Sequence, residues 1–451
     1  MSEDEYGARA ENTAAVREAA LARFVPEVKR ALEAAPDVRA WPKDWDKRGA
    51  IDYFYKKKSI LTGPANAANV RTALLSMGSY HEADDGDSDP AQRAAAQSPG
   101  AGMAQFNVTV REDQHTPDVL KDLDARIGRG VATHEHVFAV TGLMCPATEP
   151  EPVLSPQMAH HDPTLVREAL WPPPVNAPAG EGVNVSIVDT GLVNGIAGWA
   201  PWLDGVVADT RADIDVPDRI SLDPMRPTPD GFADPYAGHG SFIAGVVRCL
   251  APSAAVTVER VIDRAGFVTE LNMMTQIRQA MGSSPSIVSI SAGGYTRHNA
   301  PPFALQTLWR DRLSHLDGVT FVAAAGNDGI QRPFWPAAFP WCIAVGAMSR
   351  DGQQRSWYSN HGPWVNVYAP GDDIINAYPR LKYETFVNHD VRDTSAGVVK
   401  WSGTSFAAPI VTGLIAARMS RTGENSALAA ANLLTVARGQ FRPDIGPRLF
   451  P

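Results

Sequence analysis

From Gly182 onward the sequence alternates short apolar runs with helical stretches, and this grammar leaves few folds open. Strands read at Val183–Val188, Val256–Ile262, Ile287–Ser291, Val319–Ala324 and Cys342–Ala347; helices read at 239–250, 269–281, 303–316, 405–419 and 426–438. Strands this apolar along their whole length have both faces covered, the signature of a mostly parallel sheet between helical layers. The expected fold class is α/β: a doubly wound, mostly parallel sheet with helices on both faces, preceded by a smaller α/β N-terminal domain.

Composition narrows the function. With 41 Lys and Arg against 50 Asp and Glu, the net charge of −9 disfavours a protein that grips phosphate backbones, so no nucleic-acid partner is expected. Cys145, Cys249 and Cys342 are isolated and odd in number, which fits neither a disulfide framework nor a CxxC metal site and suggests a reducing compartment. There is no uninterrupted apolar run of about 18 residues, and the opening MSEDEYGARAEN is acidic where a signal peptide would be basic, so a cytoplasmic chain without a membrane partner is expected.

The charge is uneven. Residues 1–180 carry 19 basic against 26 acidic side chains, and residues 181–451 carry 22 against 24. Nine prolines between Pro146 and Pro178, including Pro172-Pro173-Pro174, block long helices there. The expected organisation is a mostly helical extension of unknown role (1–80), a β-α-β unit with an acidic loop at its start (81–145), a Pro-rich linker (146–180) and the main domain (181–451). Within the β-α-β unit, a strand at Gln105–Arg111 precedes a helix opening at Thr116-Pro117-Asp118, with Thr116 as N-cap, and a strand at His136–Thr141 follows. The helix at 11–35 holds Val16, Leu21, Phe24, Val28 and Leu32 at roughly helical intervals, and the Lys56-Lys57-Lys58 run reads as a solvated face.

Three short segments carry chemistry. Asp189 follows the apolar VNVSIV run and precedes Thr190-Gly191, so its carboxylate stands at a strand's C-terminal end, where functional groups of doubly wound sheets gather. His239 lies between Gly238 and Gly240 at a helix start, an approachable and poorly packed place for an imidazole. Ser405, in Ser402-Gly403-Thr404-Ser405, leads into an apolar helix, where a serine is either an N-cap or a nucleophile beside N–H groups that favour developing negative charge. Asp-Thr-Gly is also the aspartic protease motif, but the candidate second loop Asp393-Thr394-Ser395 lacks the glycine.

In the order Asp, His, Ser, the segments VSIVDTG, GHGSFIAG and SGTSFAAPIVTG resemble those of the subtilisin-like serine proteases, the subtilases. The resemblance covers about residues 182–438. It implies a serine endopeptidase with Asp189, His239 and Ser405 as catalytic triad and Asn327, in AAAGNDG, as oxyanion-hole donor. It further implies that Ser291, Ala292 and Gly293 belong to the edge that pairs with an extended protein or peptide substrate, and that Phe334-Trp335 lie near the floor of the main pocket. WPAAFPWCIAVGAM and SWYSNHGPWVNVYAPGDDI are further landmarks. No cofactor is required for such chemistry, and structural calcium, frequent in the family, has no assignable loop here. His239-Gly240-Ser241-Phe242 departs from the usual His-Gly-Thr-His, and Ser402 stands where Asn is common. The β-α-β unit is similar in place and pattern to a subtilase prodomain, so a zymogen restrained through residues 1–180, or opened by a regulatory protein bound there, is expected. The other function class is a catalytically silent subtilase fold that binds peptides or acts as a scaffold.

Overall fold

A computed structural model describes residues 22–80, 102–110, 114–140, 148–209, 232–233, 236–262, 265–386 and 388–451. The acidic loop from His81, residues 11–21 of the first expected helix, Thr141 and Cys145 lie outside them.

The main domain is built on a seven-stranded sheet in the spatial order Val367–Pro370, Cys342–Met348, Thr320–Ala324, Ile287–Ile290, Asn184–Asp189, Ala255–Arg260, Val207–Ala208, with neighbours parallel throughout. Alternation along each strand divides the core. Val185, Ile187, Ile287, Val322 and Ala324 face the helices His239–Leu250 and Thr404–Thr422. Val188, Val288, Ile290, Phe321 and Ala323 face the helices Glu270–Ala280 and Phe303–Asp311. After Asn184–Asp189 the chain runs to one edge, returns, and crosses to Ile287–Ile290 on the other side. This reversal of strand order opens a crevice at the C-terminal ends of the central strands.

A second sheet of six antiparallel strands joins the front of the chain to the main domain. Its path runs Val38–Trp41, Tyr53–Thr62, Ala132–Val140 and Ala292–Gly293; Ala104–Asn107 pairs with Tyr53–Thr62, and Phe267–Thr269 pairs with Ala132–Val140. Val28, Ala31, Phe54, Leu61 and Phe138 therefore share one core with Leu271, Met274 and Leu305 of the main domain.

Several expectations change. In the described part of residues 1–80, a helix at 22–34, the short helix Trp45–Arg48 and the helix Pro64–Ser76 are joined by two strands the sequence did not reveal, Val38–Trp41 and Tyr53–Thr62. A boundary at residue 80 separates no sheet, because Tyr53–Thr62 lies between Ala104–Asn107 and Ala132–Val140. Residues 148–180 of the expected linker form a strap on the main domain: Glu151–Pro152 pairs with Val398–Trp401, short helices cover Pro156–His161 and Pro163–Ala169, and Trp171 exchanges backbone hydrogen bonds with Ile375. Proline density forbade long helices there but not docking of the segment as a whole. The helix cap at Thr116 moves one residue, since the Asp118 carboxylate accepts from the His115 N–H while the Thr116 hydroxyl accepts from the Lys58 N–H.

Candidate active site

Asp189 ends the central strand Asn184–Asp189 and is fully buried. One carboxylate oxygen accepts from the Thr190 N–H at 2.8 Å and from His239 Nδ1 at 2.7 Å. That second bond places the imidazole proton on Nδ1 and leaves Nε2 as a base, because a ring nitrogen donating to a carboxylate fixes the tautomer. His239 opens its helix directly after Gly238, whose φ of 76° is left-handed. A Cβ on Gly238 would collide with the Pro379 ring, and one on Gly240 would sit 2.5 Å from the Gly191 carbonyl oxygen. The Gly-His-Gly pattern is thus required by the close approach of two loops as well as by backbone conformation.

Ser405 is the second residue of the helix Thr404–Thr422 and is 2% exposed. The His239 ring packs between Trp401 and Phe406, each centroid 5.4 Å away, which sets the imidazole against the residue that follows Ser405. Asn327 is buried in the turn that follows the strand Thr320–Ala324. Its Oδ1 accepts from both the N–H and the hydroxyl of Thr404, at 2.9 and 2.8 Å. These two bonds fix the orientation of the side-chain amide beside the start of the Ser405 helix. Thr404 also accepts from the Gly326 N–H, so one hydroxyl ties the Asn327 turn to the Ser405 helix.

Ser291 Oγ donates to the Ser405 carbonyl at 3.0 Å. This locks the Ala292–Gly293 edge beside the serine, and on that edge lies the front-sheet strand: Val140 pairs with Ala292 and Ala139 with Gly293. Of the seven sequence-derived candidates, Asp189 is bonded to His239, Asn327 to Thr404 next to Ser405, and Ser291 to Ser405, with Ala292 and Gly293 following Ser291 on the paired edge.

Sequence reasoning missed the groups that hold this crevice in shape. Asn360 accepts from the Asp328 and Ile330 N–H groups and donates to the Ala325 carbonyl and the Tyr295 hydroxyl. Tyr295 in turn donates to Asp328 at 2.6 Å, and desolvation pushes that carboxyl up to about 6. Asn360 stood in a recognised landmark, SWYSNHGP, but nothing in its spacing revealed that it cross-braces the Asn327 turn. Glu270, buried at a helix start, accepts from the His136 N–H and Nδ1 and from the Ala304 N–H, so it links the front sheet to the main domain. Among the described residues no three His, Cys, Asp or Glu side chains gather to hold a metal ion. Also among them, no helix is long and apolar enough to cross a membrane.

Comparison with known proteins bears on the same region. The chain is 30% identical over 255 residues to a thermophilic serine proteinase of Bacillus sp. (strain AK1), covering 54% of each chain. It is 27% identical over 290 residues to thermitase of Thermoactinomyces vulgaris, covering 60% of this chain and 90% of that one. The chain thus spans about half the length of the first relative and nearly all of the second. In fold it is similar to fervidolysin from Fervidobacterium pennivorans, a keratinolytic enzyme related to subtilisin, with a TM-score of 0.54 at 18% identity over 88% of this chain and 60% of that one. That likeness extends beyond the main domain into the front unit. Residues 180–437, more than half of the sequence, match the model described as the subtilase family, and the chain belongs to that family.

Proposed function

We propose that the chain is a serine endopeptidase acting through Asp189, His239 and Ser405, and that its own N-terminal region restrains it. The observation that carries the chemistry is the buried 2.7 Å Asp189–His239 hydrogen bond facing the start of the Ser405 helix. In this reading His239 Nε2 takes the Ser405 hydroxyl proton as Oγ attacks a peptide carbonyl, and Asp189 stabilises the imidazolium that forms. The Asn327 amide and the Ser405 N–H donate to the oxyanion; the imidazolium returns its proton to the leaving amine, and water then hydrolyses the acyl-enzyme by the same route. The substrate is a protein or peptide segment in extended conformation, adding a strand to the Ala292–Gly293 edge.

That edge is where the restraint acts. The strand Ala132–Val140 is sandwiched between Ala292–Gly293 and Phe267–Thr269, with the Val140 N–H also donating to the Gly266 carbonyl. Backbone groups that would bind an extended substrate are used by the chain itself, which supports a zymogen. A protein partner of residues 1–180 would act by drawing this strand away. A reducing cytoplasmic setting is consistent with Cys249 and Cys342 as free, buried thiols.

Mass spectrometry of the purified chain beside its Ser405→Ala form, with fluorophosphonate labelling of both, tests the reading. Self-cuts and label are expected in the wild type alone. A wild type that neither labels nor cleaves any peptide after its first 180 residues are clipped would sink it.

A further inference from the structure

The pocket beside Ser405 is already filled. Two loops flank the serine: Ser291–Gly294, tied by Ser291 Oγ to the Ser405 carbonyl, and Gly326–Asn327, tied through Thr404. In the proposed binding mode, with an extended peptide on the Ala292–Gly293 edge and its carbonyl at Ser405, the side chain of the acyl residue projects between these loops. The ring of Phe334 lies there. A Cβ built on Gly293 would collide with the Phe334 ring, and one on Gly326 would lie 3.0 Å from its Cγ and Cδ2. The ring therefore touches both walls at positions where only glycine leaves room for it.

Phe334 is not free to swing out. It is 3% exposed, it meets the Tyr295 ring edge to face with centroids 5.2 Å apart, and its neighbour Trp335 exchanges two backbone hydrogen bonds of 2.9 Å with Gly294. What remains with the front unit docked is a cavity of about 20 Å³, bordered by Gly293, Gly294, Tyr295, Asn327, Asp328 and Phe334 on one side and by Ile51, Tyr53, Phe54, Ala139 and Val140 of the front unit on the other. That is room for about one water molecule, and removing the front unit leaves the Phe334 ring in place between the Gly293 and Gly326 walls.

We propose that Phe334 sets the primary specificity of the enzyme, restricting the residue on the N-terminal side of the cleaved bond to Gly, Ala, Ser or Thr. The inference rests on the reading of Ser405 as nucleophile. Close packing makes such a floor discriminating, because a larger side chain must displace a buried ring clamped on both faces. The expected preference for small over large residues is on the order of 10–200-fold in kcat/KM for each step in pocket fit.

The test is product-end sequencing by mass spectrometry after incubating the full chain, and its Phe334→Gly and Phe334→Leu forms, with a peptide library diverse at every position. Fluorophosphonate labelling runs alongside. The wild type is expected to cut after small residues, in the library and in its own leader, and Phe334→Gly to shift the preference at least tenfold toward Leu, Phe or Tyr. Should Phe334→Gly fail to fold, Phe334→Leu is expected to admit Val and Leu, and the wild-type profile is decisive by itself. A wild type that labels and cuts after large residues, or that labels and ignores every small-residue peptide, overturns this inference and leaves the catalytic reading standing. Absence of both label and cleavage overturns the catalytic reading, and the pocket assignment falls with it.

Discussion

At the scale of single residues, the site is built from atoms whose neighbours leave no alternative. The Asn327 carbonyl is claimed twice by Thr404, which fixes the side chain's orientation, and in the proposed mechanism its amide donates to the oxyanion. Asn327→Ala is expected to lower kcat by about 10²–10³ with KM nearly unchanged, a range established on subtilisin, a relative of this chain. An equal rise in KM with kcat intact would show the amide to be a ground-state contact. Gly240 makes a second case. A methyl there would meet the Gly191 carbonyl and Val258 Cγ1, at 2.5 and 3.1 Å, and a backbone oxygen cannot yield as a flexible side chain does. Gly240→Ala should cost roughly 1–3 kcal/mol by overpacking and displace the Asp189 turn as well. Thermal unfolding and turnover should fall together; a fall in stability alone would mean that the turn absorbs the strain. The identities of Asp189, His239 and Ser405 stood out in the sequence because each sits in a short, unusual motif. Asn360 did not, since an asparagine in a loop has many ordinary explanations, and Phe334 was placed near the pocket floor only by resemblance.

At the scale of elements, the strands and helices of the main domain were legible because burial on both faces writes long apolar runs. Val367–Pro370 escaped notice, being four residues that end in proline, and Val207–Ala208 is too short to show any period. In the front unit the strand Tyr53–Thr62 was hidden by Lys56-Lys57-Lys58, which interrupts its apolar pattern where Lys58 adopts a positive φ and the register shifts. Pairing of Ala132–Val140 with Ala292–Gly293 had no local signal at all, because register between distant segments depends on what the intervening chain does. This strand is held by Phe138, fully buried in the core shared with Phe267 and Leu271. Phe138→Ala should weaken docking by about 3–5 kcal/mol, the cost of emptying a buried phenylalanine site. The full chain should then cleave added peptide faster, and the Ala292 and Gly293 amides should exchange faster. Unchanged exchange at both would show that the strand is not what covers the edge.

At the scale of the whole molecule, the front unit and the main domain meet around buried titratable groups. His134 is fully buried against Tyr53, Tyr55 and His136, its Nδ1 has no hydrogen-bond partner, and desolvation, with His136 and Arg297 adding like charge, holds it well below its ordinary 6.5. The docked state therefore binds fewer protons than a released strand below pH 6.5. The stability contributed by neutral His134 is present above that pH and is lost as pH falls. Glu27, raised to about 8 by burial, and Glu135, also raised, act in the opposite sense, since their docked forms hold protons that a released chain would give up. Comparison with His134→Gln separates the contributions. Below pH 6.5 the wild type should lose leader protection in hydrogen exchange faster than the variant, and identical profiles would remove His134 as a pH-responsive contact.

The same scale divides what the amino-acid string decided from what folding added. Motif chemistry, the order Asp, His, Ser and the alternation of apolar strands with helices are local properties, so they were readable from Gly182 onward without coordinates. Contacts that span long stretches of chain are not local: Asp189 to His239 across 50 residues, Asn327 to Thr404 across 77, Ser291 to Ser405 across 114. They exist only because packing of the sheet and its helices brings loop ends together. The acidic front unit looked like a separate appendage by charge and proline content, yet tertiary structure made it part of one sheet and one core with the main domain. Resemblance placed Phe334 near the pocket floor, but its contact with the Gly293 and Gly326 backbones came only with the tertiary structure, since the shape of a pocket belongs to side chains from several segments at once.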